Sequence, residues 1–171
     1  TFGKFEFTKV DPDGKGIENV TFQVKDGDTT LYFVKQKDGS YKKAASAATS
    51  GATADVKTGA DGKLSFTGLD KTKTYTVTET KRASDAYLDI MPSFTVSFNE
   101  ENGSAVLAKT TTSDPWGLVN TADKTVKNVK SVDQLPLTGA AGTILFTVMA
   151  LLLAGAGATV VLKARSKNAK A

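Results

Sequence analysis

Apolar and polar side chains alternate with period two along most of residues 1–122, which is the pattern of strands with one face against a core. The clearest such runs are Val20–Val24, Leu31–Lys35, Lys63–Phe66, Thr74–Thr80, Phe94–Phe98 and Ala105–Lys109. Turn dipeptides separate them: Asp13-Gly14, Asp38-Gly39, Asp61-Gly62 and Asn102-Gly103. No helical amphipathic segment of useful length precedes residue 140. The pattern predicts an all-β antiparallel sandwich of about seven or more strands over residues 1–123. Ala44–Ala54 is small-residue filler and reads as a mobile loop. Lys124–Gln134 is polar, with Val126, Val129 and Val132 its only aliphatics, and reads as a linker over 124–134.

Three strands break the alternation in the same way. Phe5 and Phe7 share a face, and the next residue on that face is Lys9. Tyr75 and Val77 are followed by Glu79, and Trp116 and Leu118 by Asn120. Each polar residue alone has an ordinary explanation: a lysine snorkels, a glutamate sits at a rim, an asparagine opens a turn. Together an amine, a carboxyl and a carboxamide on apolar faces describe a condensation. The Lys9 amine attacks the Asn120 side-chain carbonyl and ammonia leaves. Burial lowers a lysine pKa and raises a glutamate pKa, so a dry site supplies both a neutral nucleophile and a protonated acid. Glu79 would polarise the carbonyl and carry the proton from amine to leaving group. Phe5, Phe7, Val77, Trp116 and Leu118 would be the walls. Asn128 is the rival acceptor, ranked lower because it lies in the polar linker with no apolar face behind it.

Composition removes other chemistries. The chain has no cysteine and no histidine, so disulfides, thiolate metal sites and histidine-based triads are absent. No metal site or cofactor is expected. Asp11–Gly16 fails as a calcium loop, because Lys15 and Phe22 would stand at ligand positions; it reads as a hairpin turn. The net charge of +4 comes from the tail: Lys163, Arg165, Lys167 and Lys170 have no acid beside them, and the rest of the chain balances. Nucleic-acid binding is therefore not expected. There is no cluster of acids, no nucleophile with a base and no phosphate loop, so turnover of an outside substrate is not expected. The chain starts at Thr1, without Met or a signal peptide, and reads as a mature piece of something longer.

Ala140 to Leu162 carries no charged side chain. As a helix rising about 1.5 Å per residue it would cover a bilayer core of about 30 Å. The basic tail, 163–171, suits a cytoplasmic flank and puts residues 1–139 outside the cell. Immediately before the span stands Leu135-Pro136-Leu137-Thr138-Gly139. This resembles the LPxTG sorting signal of Gram-positive surface proteins at every fixed position, followed by span and basic tail in the required order. Pro136 keeps Leu135 extended. An extended peptide can lie in an enzyme groove with Leu135 in an apolar pocket. The resemblance implies that a sortase cleaves between Thr138 and Gly139. The Thr138 carbonyl then passes to an amine, from a peptidoglycan precursor or from a lysine of a neighbouring pilin subunit. The membrane contact at 140–162 would last only until that transfer.

The trio also carries a resemblance. Phe5–Asp13 (FEFTKVDPD), Asp61–Leu69 (DGKLSFTGL), Tyr75–Thr80 (YTVTET) and Val119-Asn120-Thr121 are similar to the marked segments of the Cna B-type domain, the immunoglobulin-like module of Gram-positive pilins and adhesins. The resemblance covers about residues 1–123. It implies an immunoglobulin-like β-sandwich with an autocatalytic isopeptide bond from Lys9 to Asn120, assisted by Glu79. After Glu79-Thr80 the chain lacks the family's usual proline and glycine. The expected function is a cell-wall-anchored structural subunit, the C-terminal domain of a pilin. The alternative is a membrane-proximal stalk of an adhesin whose binding domains lie upstream. A shaft pilin should carry an accepting lysine in a Tyr-Pro-Lys-like motif. The nearest candidate, Ser40-Tyr41-Lys42-Lys43, lacks the proline and reads as a strand.

Overall fold

The computed structural model describes residues 1–136. The expected membrane helix, 140–162, and the basic tail, 163–171, lie outside the described residues, as do Leu137, Thr138 and Gly139 of the sorting signal. Among the described residues thirteen strands run in chain order: β1 (Phe2–Val10), β2 (Thr21–Asp26), β3 (Thr29–Thr30), β4 (Phe33–Lys35), β5 (Tyr41–Lys43), β6 (Ala52–Thr53), β7 (Val56–Lys57), β8 (Lys63–Asp70), β9 (Tyr75–Lys81), β10 (Ser93–Phe98), β11 (Ala105–Ala108), β12 (Val119–Asn120) and β13 (Thr125–Lys127). A 3₁₀ turn, Val132–Gln134, follows. One sheet has the order β12-β13-β1-β8-β5-β4-β6; the other runs β11-β10-β9-β2-β3, with β7 also on β2. Each of the six clearest alternating runs overlaps a strand, and Tyr41–Lys43 forms β5.

The period-two pattern sets which side chains enter the space between the sheets. β1 buries Gly3, Phe5, Phe7 and Lys9 on one face. β8 answers with Leu64 and Phe66, β9 with Tyr75, Val77 and Glu79, and β10 with Phe94, Val96 and Phe98. Aromatic rings fill the centre. Phe5 stacks on Phe66 with centroids 6.0 Å apart, and Phe7 meets Phe22 and Phe94 edge-on at 4.9 and 5.2 Å. Each such ring removes a large apolar area from water, and at about 25 cal/mol per Å² these contacts are the main support of the sandwich.

The linker expected over 124–134 is corrected by the structure. Its first half is β13, inserted between β12 and β1, parallel to β1 with Lys9 opposite Val126 and antiparallel to β12. Its second half folds back, with the Leu88 N–H donating to the Val129 carbonyl at 2.9 Å. The domain boundary therefore moves from 123 to beyond Leu135, which is itself buried. Composition hid β13 because only Val126 and Asn128 face inward; Thr125 and Lys127 flank them half-buried.

Candidate functional site

Lys9 is the last inward residue of β1, next to its end at Val10, and its backbone is clamped on both sides. Its N–H donates to the Gly62 carbonyl at 2.8 Å, and its carbonyl accepts from Ile17 at 2.9 Å. Gly62 takes φ +78°, and a Cβ there would collide with the Lys9 carbonyl, so the Asp61-Gly62 turn seats β1 closely. The Lys9 side chain is fully buried. Its Nζ donates to Glu79 Oε2 at 2.6 Å and lies 5.8 Å from the centre of the Phe22 ring. Glu79 stands opposite Phe22 across the β2–β9 pair and is also buried.

The second oxygen of Glu79 meets a carboxamide, and it belongs to Asn128. Asn128 Nδ2 donates to Glu79 Oε1 at 3.0 Å, and Asn128 is 2% exposed. Its backbone N–H donates to the Val10 carbonyl at 2.9 Å, which extends the β1–β13 pairing by one residue past the strand. Val126 and Asn128 share the inward face by simple alternation. One carboxyl group thus bridges the amine and the amide, on three chain segments far apart in sequence.

Asn120, expected in the site from its spacing, is not there. It is exposed, and it closes the β12–β13 turn. Its Oδ1 accepts from the N–H groups of Ala122 and Asp123 at 3.1 and 3.0 Å, and its Nδ2 donates to Asp123 Oδ2 at 3.0 Å. The reason is local. Trp116–Leu118 is not strand: Gly117 takes φ +68°, and β12 begins only at Val119. The period-two count from Trp116 therefore does not carry through, and Val119, not Asn120, enters the main core. Of the expected walls, Phe5, Phe7 and Val77 are in that core, whereas Leu118 and Trp116 belong to a second, smaller apolar cluster.

Burial sets the protonation. Lys9 is lowered from 10.5 to about 8, chiefly because burial removes hydration from the ammonium, with the neighbouring Glu79 opposing the fall. Glu79 is raised above the ordinary carboxylate range by burial, again opposed by Lys9. An ion pair and a neutral amine beside a neutral acid differ only by one proton moved along a 2.6 Å hydrogen bond. Asp114, which spacing did not reveal, is a second buried carboxylate. It accepts from the Leu118 and Val119 N–H groups, both at 2.9 Å, and from Lys109 Nζ at 3.1 Å, and so fixes the segment that enters β12.

Asn128 Oδ1 is a buried side-chain atom with no hydrogen-bond partner. Such an atom costs about 1–3 kcal/mol. Half a turn of the amide exchanges its oxygen and nitrogen, since the two ends are alike in shape. The oxygen then faces Glu79, where a protonated carboxyl donates to it. The atom left without a partner is Nδ2, the one that departs in a condensation. Among the described residues no cluster of acids could hold a metal ion.

Residues 3–113 match the family described as the prealbumin-like fold domain, SpaA, and residues 127–169 match the LPXTG cell wall anchor motif. No match was found among curated proteins. Similar solved structures include GBS52, the minor pilin of Streptococcus agalactiae, with 19% identity and a TM-score of 0.48 over 77% of this chain and 45% of that one. The C-terminal domain of the shaft pilin SpaA from Lactobacillus rhamnosus GG has 20% identity and a TM-score of 0.45, over 77% of this chain and 99% of that one. The pilus 2b backbone protein of group B streptococcus has 21% identity and a TM-score of 0.44, over 77% of this chain and 42% of that one. The chain thus spans less than half the length of the first and third of these. By the family match the chain belongs to the SpaA family of prealbumin-like fold domains, and its C-terminal motif is the LPXTG anchor of a Gram-positive cell-wall surface protein.

Proposed function

We propose that this chain is a structural subunit of a pilus, attached by sortase through Thr138 and stapled by an amide between Lys9 and Asn128. The observation that carries the reading is the Lys9–Glu79–Asn128 constellation, an amine and a carboxamide on the two oxygens of one buried acid. In the neutral form the Lys9 amine attacks Asn128 Cγ. The Nζ–Cγ bond forms, the Cγ–Nδ2 bond breaks, and Glu79 takes a proton from the amine and gives one to Nδ2, which leaves as ammonia. Glu79 ends protonated, as it began. No metal or cofactor is needed for the atoms to balance. The reaction happens once per chain, so the protein is its own substrate and not an enzyme for others.

The placement of the staple suits a load-bearing role. β1 and β13 are parallel neighbours, so tension entering at Thr1 and leaving beyond Asn128 loads them in shear. An amide between them sends that tension through covalent bonds past the rest of the sandwich. Sorting through Thr138 would then pass it to the wall or to a lysine of the next subunit.

The test is the intact mass of the purified chain beside a Glu79→Gln variant. Glutamine keeps the shape of the site and cannot shuttle the proton. The parent should be lighter than its sequence by one ammonia and the variant should have its full sequence mass. A parent at full mass would remove the staple and leave Lys9 and Glu79 as a buried ion pair.

A further inference from the structure

Leu135 opens the sorting signal, yet it is 4% exposed. It packs with Leu118 and Val129 in the second apolar cluster, flanked by Trp116, Ile90 and Val132. The tail that brings it there is held by its own hydrogen bonds. The Lys130 N–H donates to Gln134 Oε1 at 2.7 Å, and the Leu135 N–H donates to the Val132 carbonyl at 3.2 Å. Pro136 lies beside Gly117, with ring carbons 3.9 Å from where a Cβ on that glycine would stand.

A side chain cannot fill two pockets at once. An enzyme that reads Leu-Pro in an extended peptide must take Leu135 out of this cluster first. From these contacts we infer that the domain masks its own sorting signal: Leu135 is a clasp, and sortase captures only the fraction of chains in which the tail has come away. This rests on the reading of the chain as a sortase substrate. When only a fraction of molecules is competent, apparent affinity falls by that fraction. The opening is local, because β13 and Asn128 stay fixed to β1 while Val129–Pro136 peels off. The staple at Asn128 confines the fraying to this tail, so the signal can be exposed without unzipping the sandwich.

The experiment uses the full chain in detergent micelles, an LPxTG-cleaving sortase and triglycine as the accepting amine, with release of Gly139–Ala171 followed by mass. A synthetic peptide, Ser131–Gly142, reports the unmasked rate. Val132→Asp and Ile90→Ser loosen the clasp from its two sides without touching the five signal residues. Trp116 is the single tryptophan of the chain, so its emission reports undocking apart from any cleavage. The parent should be cleaved at least about 10-fold more slowly than the peptide, corresponding to about 1.4 kcal/mol of masking. Both variants should approach the peptide rate, with Trp116 emission shifted to the red. Parent and peptide cleaved at equal rates would overturn the masking, and that comparison needs no variant to fold. A peptide that the sortase leaves intact would instead overturn the sorting reading, and the masking with it.

Discussion

Asn128→Ala should lower the thermal midpoint of the domain by on the order of 15 °C. Closing a loop of about 100 residues stabilises by about 4–5 kcal/mol in the chain-entropy treatment of disulfides, and 1 kcal/mol is worth roughly 3–5 °C in a domain of this size. The substitution leaves the Lys9–Glu79 pair in place, so it isolates the staple better than a change at Lys9 would. The alternative has a distinct size. If Asn128 were only a buried amide with one hydrogen bond, its loss would cost about 1–2 kcal/mol and move the midpoint by about 5 °C. Scanning calorimetry of parent and variant separates the two. A drop of that smaller size would show that no covalent bond is lost.

The second large effect is mechanical. When the chain is pulled from Thr1 and from a handle beyond Pro136, the parent should show no long unfolding step. Only the residues outside the Lys9–Asn128 loop can extend. Asn128→Ala should instead release about 120 residues, adding roughly 400 Å of contour at about 3.4 Å per residue. Single-molecule force spectroscopy reads this directly. A parent that lengthens by the same step as the variant would show that load runs through the folded sandwich and not around it.

Much of this fold is legible in the residues because each strand carries its own evidence. Phe5, Phe7 and Lys9 alternate on β1, and Tyr75, Val77 and Glu79 on β9, so both the core and two members of the site follow from period two. The third member does not. β13 spans only Thr125–Lys127, and the apolar surroundings of Asn128 come from strands far away in the sequence. Asn120 has two apolar residues behind it at that spacing, Trp116 and Leu118, but its apparent strand is interrupted at Gly117. A weaker signal was present: Val126 and Asn128 are two apart, beside an otherwise polar run. What no local pattern contains is the parallel pairing of first and last strands, since that is a property of the whole topology. Leu135 misleads in the opposite way. The motif around it reads as an exposed address, while the fold gives its side chain a place in a core.

Fragment sequencing of the digested parent chain tests most directly whether Lys9 is joined to Asn128. Tandem mass spectrometry should find one branched peptide in which the Lys9 side chain carries the residue-128 segment, short of one ammonia. The same branch should survive in Asn120→Ala and vanish in Asn128→Ala. A branch running from Lys9 to Asn120, or linear Lys9 and Asn128 peptides alone, would contradict it.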